Sequence, residues 1–545
     1  MKHLFVTGFM GAGKSTVGRL VAERLDRPFA DTDAVIEARE GLSVSELFEA
    51  RGEEGFRLAE HAALEWLASQ APHVIATGGG VVLRPDNQAL LKRAGTVVYL
   101  SVTPEEALAR LGDAGDRPLL AGGGLGAARG ILEARLSLYR ATADHVVETT
   151  GRTPAEVADA VVATLGDPPE RVITVNPADA EYEIVLGCGI LAQAGARIRA
   201  VSAASSAALV SDATVAALYG DRVAAAMLAH GFTVSRHVVP PGEVSKSWSQ
   251  AGRLLEEFAA AGLDRGSVVV ALGGGVIGDL AGFCAASYMR GIALVHLPTT
   301  LLAQVDSAIG GKTGVDLEAG KNLAGAFWPP RLVLADTAVL ATLPPAEWTN
   351  GLVEAAKAAL LAGGAPLERF ESDLTPLLWR EPGAVTNAVH DAAAFKADVV
   401  SEDLRESGRR ECLNLGHTLG HALELVVGYG VLPHGLAVAE GMRFAAGLAE
   451  RLSVGSAATT ARIDALLDAI GAGDDACSSA LASSAGALTA DALLVAMKGD
   501  KKSRDGSVRF VLLARPGQWV VRPIDDATLL QELGEWVSRF RKGES

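Results

Sequence analysis

The tightest constraint on what this chain can become lies within its first 25 residues. An apolar run, Leu4-Phe-Val-Thr7, passes into Gly8-Phe-Met-Gly11-Ala12-Gly13-Lys14-Ser15-Thr16 and then into a helical pattern that ends near Leu25. This is GxxxxGKS in a strand, loop and helix setting. The glycines let main-chain N–H groups turn inward around phosphates, Lys14 reaches the outer phosphates, and the Ser15 hydroxyl is placed to hold magnesium. The spacing predicts a nucleotide-binding α/β domain with ATP contacts at Gly11, Ala12, Gly13, Lys14, Ser15 and Thr16.

The loop identifies a nucleotide and leaves the acceptor open. The acceptor must come from residues further along the domain: Asp31-Thr-Asp33 where a second strand should end, Arg57 in Gly55-Phe-Arg57-Leu-Ala-Glu60, and His73-Val-Ile-Ala-Thr77 running into Gly78-Gly79-Gly80. Beyond these come Asp116-Arg117-Pro118 with a glycine-rich tail and Glu133-Ala-Arg135. Strand alternation is expected to send both aspartates to one side.

This set resembles shikimate kinase over the whole first domain, residues 1–166. The resemblance implies a parallel sheet flanked by helices and an ATP-dependent transfer to the shikimate 3-hydroxyl. It makes Asp33 the proton acceptor and Arg57, Gly79, Gly80 and Arg135 the shikimate contacts. Asp31 supports magnesium together with Ser15, and Arg117 closes over ATP from a lid.

A length of 545 residues exceeds what one core supports, so a second domain is expected. The turn Gly166-Asp-Pro-Pro-Glu-Arg171 breaks the preceding helix, which gives a linker at 167–171. Strand patterns alternating with Ala-rich helices from Val172 predict a parallel α/β lobe over 172–343, and helical periodicity predicts a helical lobe over 344–545. In the first lobe Val268-Val-Val-Ala-Leu272 feeds Gly273-Gly-Gly275-Val276-Ile277-Gly278-Asp279. That is a GxGxxG pattern between a strand and a helix, where a pyrophosphate rests on a helix N-terminus.

In the second lobe, Arg410-Glu-Cys-Leu-Asn414-Leu-Gly-His417-Thr-Leu-Gly-His421-Ala-Leu-Glu424 precedes Pro433-His434-Gly435. His417 and His421 are four apart and leave one helix face, so one or both can serve a metal, and His434 can close the site. A zinc centre of catalytic type commonly pairs two histidines with a carboxylate, which spacing alone does not locate.

Residues 172 to about 524 resemble 3-dehydroquinate synthase. The resemblance rests on the motifs above with Pro241-Gly-Glu243-Val-Ser-Lys246, His296-Leu-Pro-Thr299-Thr300, Asp306 to Lys312, Gly320-Lys321-Asn322 and Asn350-Gly-Leu-Val-Glu354-Ala-Ala-Lys357. It implies a Rossmann-like lobe and a helical lobe that use NAD+ and Zn2+ (or Co2+) to convert 3-deoxy-D-arabino-heptulosonate 7-phosphate to 3-dehydroquinate and phosphate. Glu354, His417 and His434 become the zinc ligands, and His421 becomes a proton-handling neighbour. NAD contacts fall on Asp212, Glu243, Lys246, Gly275, Val276, Ile277, Gly278, Asp279, Thr299, Thr300, Lys312, Lys321 and the segment Val339, Leu340, Ala341 and Thr342. The substrate and catalytic groups are Arg290, Asp306, Lys312, Asn322, Lys357, Lys396, Glu406, Arg410 and Asn414, with Lys501 or Lys502. One departure is Leu436, which follows His434-Gly435 where the family commonly has Glu.

A formal net charge of −16 argues against a nucleic-acid partner and requires a local Lys and Arg cluster for anionic substrates. Four widely spaced cysteines, and no apolar run long enough to span a bilayer, give the expectation of a cytoplasmic enzyme without membrane contact. A homodimer through the synthase half is expected from the resemblance. The competing readings are a metal- and NAD-dependent polyol dehydrogenase, a related sugar-phosphate cyclase, and a domain that has lost catalysis and serves regulation.

Overall fold

The computed structural model describes residues 2–541 apart from 112–123, 166–168, 178–179, 474–475, 478–480, 482–486 and 500–506. The chain forms two compact units, Met1–Asp167 and Pro168–Ser545.

In the first unit five strands make one parallel sheet: β1 (His3–Gly8), β2 (Phe29–Asp31), β3 (Val74–Ala76), β4 (Gly95–Ser101) and β5 (His145–Glu148), in the order β2-β3-β1-β4-β5. Every residue of β1 is buried. Such continuous burial is what a central parallel strand covered on both faces requires. Asp33 does not follow strand alternation. Asp31 ends β2 and caps the helix Thr32–Glu40, its side chain accepting from the Asp33 N–H, so Asp33 stands in the first helical turn. The short polar Asp31 side chain competes for that N–H and ends the strand earlier than alternation predicts.

The second unit is built on a sheet of seven strands. These are β6 (Arg171–Val175), β7 (Tyr182–Gly187), β8 (Ser206–Asp212), β9 (Thr233–Val239), β10 (Val268–Gly273), β11 (Ala293–Pro298) and β14 (Leu332–Asp336). Two further strands, β12 (Lys312–Leu317) and β13 (Gly320–Phe327), pair as a separate hairpin. The sheet order is β6-β7-β14-β11-β10-β8-β9. All pairs are parallel except the edge strand β6, which runs antiparallel to β7 because only a short connection separates them. The chain goes from β8 outward to β9 and then returns to β10, so the order reverses there and opens a crevice beyond the strand C-termini.

Helices dominate from Pro345 onward, as the periodicity predicts, with one exception among the described residues. Strands β15 (Val508–Arg515) and β16 (Gln518–Ile524) form an antiparallel hairpin inside the helical lobe. Its residues Val508, Phe510, Val511, Leu512 and Leu513 are buried in the same core as the helices. Apolar runs this short do not distinguish a strand from a helical segment by period.

Candidate functional sites

In the first unit the phosphate loop joins β1 to the helix Lys14–Leu25, and Gly13 takes the left-handed conformation at the helix N-terminus. Lys14 Nζ donates to the Phe9 carbonyl at 2.9 Å, which folds the ammonium back over the loop. Ser15 Oγ donates to Asp31 Oδ2 at 2.6 Å, so the two oxygens expected to support magnesium are adjacent.

The candidate acceptor contacts gather around the glycines that follow β3. Arg57 and Arg135 are both buried, and Arg135 Nη1 donates to the Gly79 carbonyl at 3.2 Å. A Cβ at Gly80 would stand 2.1 Å from Arg57 Nη1, so no side chain fits there without expelling the guanidinium. Glu60, to which the sequence pattern assigns no role, holds Arg57 Nη1 at 3.0 Å with no exposed surface of its own. Burial pushes its carboxyl up, opposed by Arg57. A signal for it exists in the sequence: Arg57 and Glu60 are three apart on one helix, a pairing distance. Arg117 lies outside the described residues.

The second unit gathers its dinucleotide candidates along strand C-termini. Asp212 ends β8, Glu243 and Lys246 follow β9, Gly275 to Asp279 follow β10, Thr299 and Thr300 follow β11, and Val339 to Thr342 follow β14. Lys246, itself buried, pairs with Asp279 at 2.6 Å. The Asp212 carboxylate accepts from Thr214 and Val215 N–H groups and so caps the next turn. Two residues that no motif singles out fix the segment Val339 to Thr342. Tyr219 Oη donates to the Val339 carbonyl at 3.1 Å, and Arg380 Nη1 donates to the carbonyls of Leu340, Ala341 and Leu343 at 3.2, 3.4 and 2.7 Å.

The helical lobe supplies the metal candidates. His417 begins the helix His417–Val427 and His434 begins the helix His434–Arg451. The two helices touch at glycines: a Cβ on Gly441 would lie 1.8 Å from the Gly416 carbonyl oxygen. Glu354 projects from the helix Pro345–Ala362. One donor atom from each of Glu354, His417 and His434 lies within 4.8 Å of the others. His417 Nδ1 bonds the Leu415 carbonyl at 3.1 Å, leaving Nε2 directed at Glu354 Oε1, 3.7 Å away. His434 Nδ1 meets Glu424 Oε2 at 3.1 Å. Outer partners of this kind fix the tautomer and aim the other nitrogen at a metal.

His421, Glu424 and His434 form a second group within the same 4.8 Å limit. It overlaps the first at His434, and Glu424 is engaged by His434 and by Lys321 Nζ at 3.6 Å. Glu354 Oε1, by contrast, is buried without a hydrogen-bond partner among the described residues and faces His417 Nε2, which favours the Glu354 set. Leu436 packs partly buried against the hydrophobic core.

Cations surround this centre. Lys357 is buried, ion-paired with Glu354 and bonded to the Leu413 carbonyl at 2.8 Å. Burial pulls its ammonium down, but Glu354 and Asp306 outweigh that and hold it charged. Lys396 donates to the carbonyl and the carboxylate of Asp306, both at 2.7 Å. Burial, opposed by Asp306, leaves Lys396 at about 8. Burial alone would raise the Asp306 carboxyl, but Lys396 and Lys357 hold it well below its ordinary value.

Lys312 pairs with Glu406, whose other oxygen accepts from Asn414 Nδ2 at 2.6 Å. Arg410 is buried, with its guanidinium on the Gly310 and Leu404 carbonyls. Asn322, at φ 55°, and Arg290, at φ 68°, are exposed. Lys501 and Lys502 lie outside the described residues.

Comparison with known proteins places names beside both sites. Residues 10–166 match the shikimate kinase family, residues 236–350 the N-terminal part of 3-dehydroquinate synthase, and residues 351–503 its C-terminal part. The chain is 44% identical over 363 residues to a 3-dehydroquinate synthase of Caulobacter vibrioides, covering 66% of this chain and 97% of that protein. It is 45% identical over 364 residues to that of Rhodospirillum rubrum, covering 66% and 94%. A solved 2-deoxy-scyllo-inosose synthase complexed with carbaglucose-6-phosphate, NAD+ and Co2+ is similar at a TM-score of 0.60. Its identity is 28%, over 67% of this chain and 99% of that one.

Proposed function

This chain belongs to the shikimate kinase family in its first unit and to the 3-dehydroquinate synthase family in its second, and from that premise we propose which of its residues carry each reaction. It is a bifunctional enzyme of the shikimate pathway. Residues 1–166 are the kinase domain, the expected linker shortens to 167–170 because Arg171 already opens β6, 171–343 are the NAD-binding lobe and 344–545 the metal-binding lobe.

In the kinase, ATP with Mg2+ sits on Gly11 to Thr16, with Ser15 and Asp31 on the metal side. Arg57, held by Glu60, and Arg135 fix the shikimate carboxylate through charge-assisted hydrogen bonds. Asp33 takes the proton of the 3-hydroxyl as that oxygen attacks the γ-phosphorus, and Lys14 steadies the transferring phosphoryl group.

In the synthase, the crevice beyond the strand C-termini fits a dinucleotide: the Thr299 hydroxyl is buried there without a hydrogen-bond partner among the described residues. Glu354, His417 and His434 fit a zinc or cobalt ion, being one carboxylate and two aimed imidazoles. When bound, NAD+ accepts and returns a hydride at the substrate C5, and the divalent metal polarises the substrate oxygens. The protein's own groups do the rest. Lys312, Lys396 and Arg410 supply positive charge for the carboxylate and phosphate ends, Asn322 and Asn414 donate to oxygens, Lys357 holds Glu354, and His421 moves a proton beside the leaving phosphate. Arg290 is a further candidate for the anion pocket.

The observation that carries the synthase reading is the convergence of Glu354, His417 and His434 beside buried Lys357 and Lys396. A net dehydrogenase needs no such lysine cluster. The partners are small molecules. We assign a homodimer through the synthase unit and a cytoplasmic setting; no described helix is long and apolar enough to cross a membrane.

The test is to supply the heptulosonate 7-phosphate, follow phosphate release and identify the carbocycle. Stoichiometric phosphate and 3-dehydroquinate with no net NADH are expected. Accumulating NADH would support a dehydrogenase, and a different ring would support another sugar-phosphate cyclase.

Lys396 gives a pH dependence. Its ammonium is charged below about 8 and neutral above, so the pocket loses a positive charge as pH rises through that value and anion binding weakens. KM for the heptulosonate phosphate is expected to climb between about pH 7 and about pH 9. Lys396→Met should show a high KM that stays flat over the same range, and a flat wild-type KM would remove Lys396 from substrate binding.

A further inference from the structure

The glycine loop after β10 is bordered by two buried hydroxyls that find no hydrogen-bond partner among the described residues, Thr299 Oγ1 and Ser307 Oγ. Thr299 is already among the dinucleotide contacts. Ser307 is not, yet it is the immediate neighbour of Gly275: a Cβ built there would lie 3.0 Å from Ser307 Oγ and 3.5 Å from Ser307 Cβ. Gly275 opens the helix Gly275–Ser287 with no side-chain cap. The first N–H groups of a helix have no partner inside it and attract anionic oxygens.

Ser307 ends the one-turn π-helix Ala303–Ser307. The residue before it, Asp306, binds Lys396 through both its carbonyl and its carboxylate. The hydroxyl therefore stands at the seam between the glycine loop and the anion pocket. Folded proteins rarely leave a buried hydroxyl unpaired, because its lost hydration is not repaid by any internal bond.

We propose that Ser307 is a binding residue for the dinucleotide, donating its hydroxyl hydrogen to a pyrophosphate oxygen seated against Gly275 at the start of the helix Gly275–Ser287. This rests on the NAD reading of the synthase unit. It accounts for the unpaired hydroxyl and for the close approach of Gly275, where a Cβ would press on the donor at 3.0 Å.

The test uses the full-length, zinc-loaded protein and Ser307→Ala, with NAD+ and ADP-ribose titrated calorimetrically and thermal unfolding followed with and without NAD+. Loss of one hydrogen bond to a charged group should raise Kd about tenfold, and equally for ADP-ribose, which keeps the pyrophosphate and lacks nicotinamide. Without ligand the variant should melt at the wild-type temperature or higher, since it no longer buries an unpaired hydroxyl, and its NAD-induced rise should shrink.

Wild-type Kd in the variant overturns the proposal. So does a lower melting temperature without ligand accompanied by an unchanged NAD-induced rise, because the hydroxyl then serves packing. Loss of NAD+ affinity with ADP-ribose affinity intact overturns the pyrophosphate assignment. Failure of the wild-type protein itself to bind NAD+ would instead overturn the cofactor reading beneath it.

Discussion

His417→Ala is expected to strip the metal and abolish cyclisation, whereas His421→Ala is expected to keep the metal and lose rate. The two imidazoles are one helical turn apart, with ring centroids 5.3 Å from each other, so helix spacing alone treats them alike. Their surroundings do not. His417 presents Nε2 to Glu354 because its Nδ1 is held by Leu415, and it belongs to the donor set that contains a carboxylate not paired to another histidine. His421 shares its group with Glu424, which is committed to His434 and Lys321. Glu424→Gln should fall between the two, weakening metal affinity about 10- to 100-fold, as removal of an outer partner of a ligand does. Metal content by elemental analysis after gel filtration, with cobalt absorption as a second measure, decides the order. Equal metal loss from His417→Ala and His421→Ala would mean that both are ligands.

Lys14→Ala should remove ATP-dependent phosphorylation of shikimate and leave cyclisation within about twofold, with His417→Ala doing the reverse. Lys14 Nζ is the cation at the phosphate loop, bonded to Phe9 O, and its loss takes away charge that the transferring phosphoryl group needs. Every residue assigned to the kinase is numbered within Met1–Asp167 and every residue assigned to the synthase within Pro168–Ser545, so each assignment is complete within its own unit. The pathway gives no reason for direct transfer, because the synthase product is not the kinase substrate. Assaying both reactions on each purified variant tests this, with circular dichroism confirming the fold. A point mutant that lost both activities while folded would establish catalytic coupling.

What the sequence makes legible is what motifs encode locally. The phosphate loop, the glycine turn after β10 and the His417 to His434 run each keep their chemistry within a short stretch, so their element types follow from spacing. The missing zinc carboxylate does not. Glu354 lies far from either histidine in the chain, and only the packing of three helices brings it near, so spacing leaves it open and resemblance supplies it.

Strand alternation misplaces Asp33, because a capping interaction at Asp31 starts the helix first. Tyr219 and Arg380 lie outside every motif, and Glu60 and Ser307 lie inside quoted stretches that give them no role, because each is placed to hold or adjoin another element. That relation exists only after folding. Glu60 is the partial exception, being at helical spacing from Arg57. The β15 and β16 hairpin is hidden for another reason, since short apolar runs carry no decisive period.

That hairpin also bears on the order in which the protein comes into being. Arg509 reaches back to Glu411 at 2.9 Å, its carbonyl accepts from Thr418 Oγ1 beside His417 at 3.0 Å, and the Gly517 N–H bonds the Leu360 carbonyl on the helix that carries Glu354. The braces on two metal-ligand helices are thus made by strands that come after every candidate ligand in the chain. The kinase unit ends at Asp167 and can fold while synthesis continues. At ~5–20 residues per second, tens of seconds then pass before the strands that steady the metal lobe exist. Glu354, His417 and His434 all precede those strands in the chain, so the ligands are synthesised before the hairpin that braces their helices.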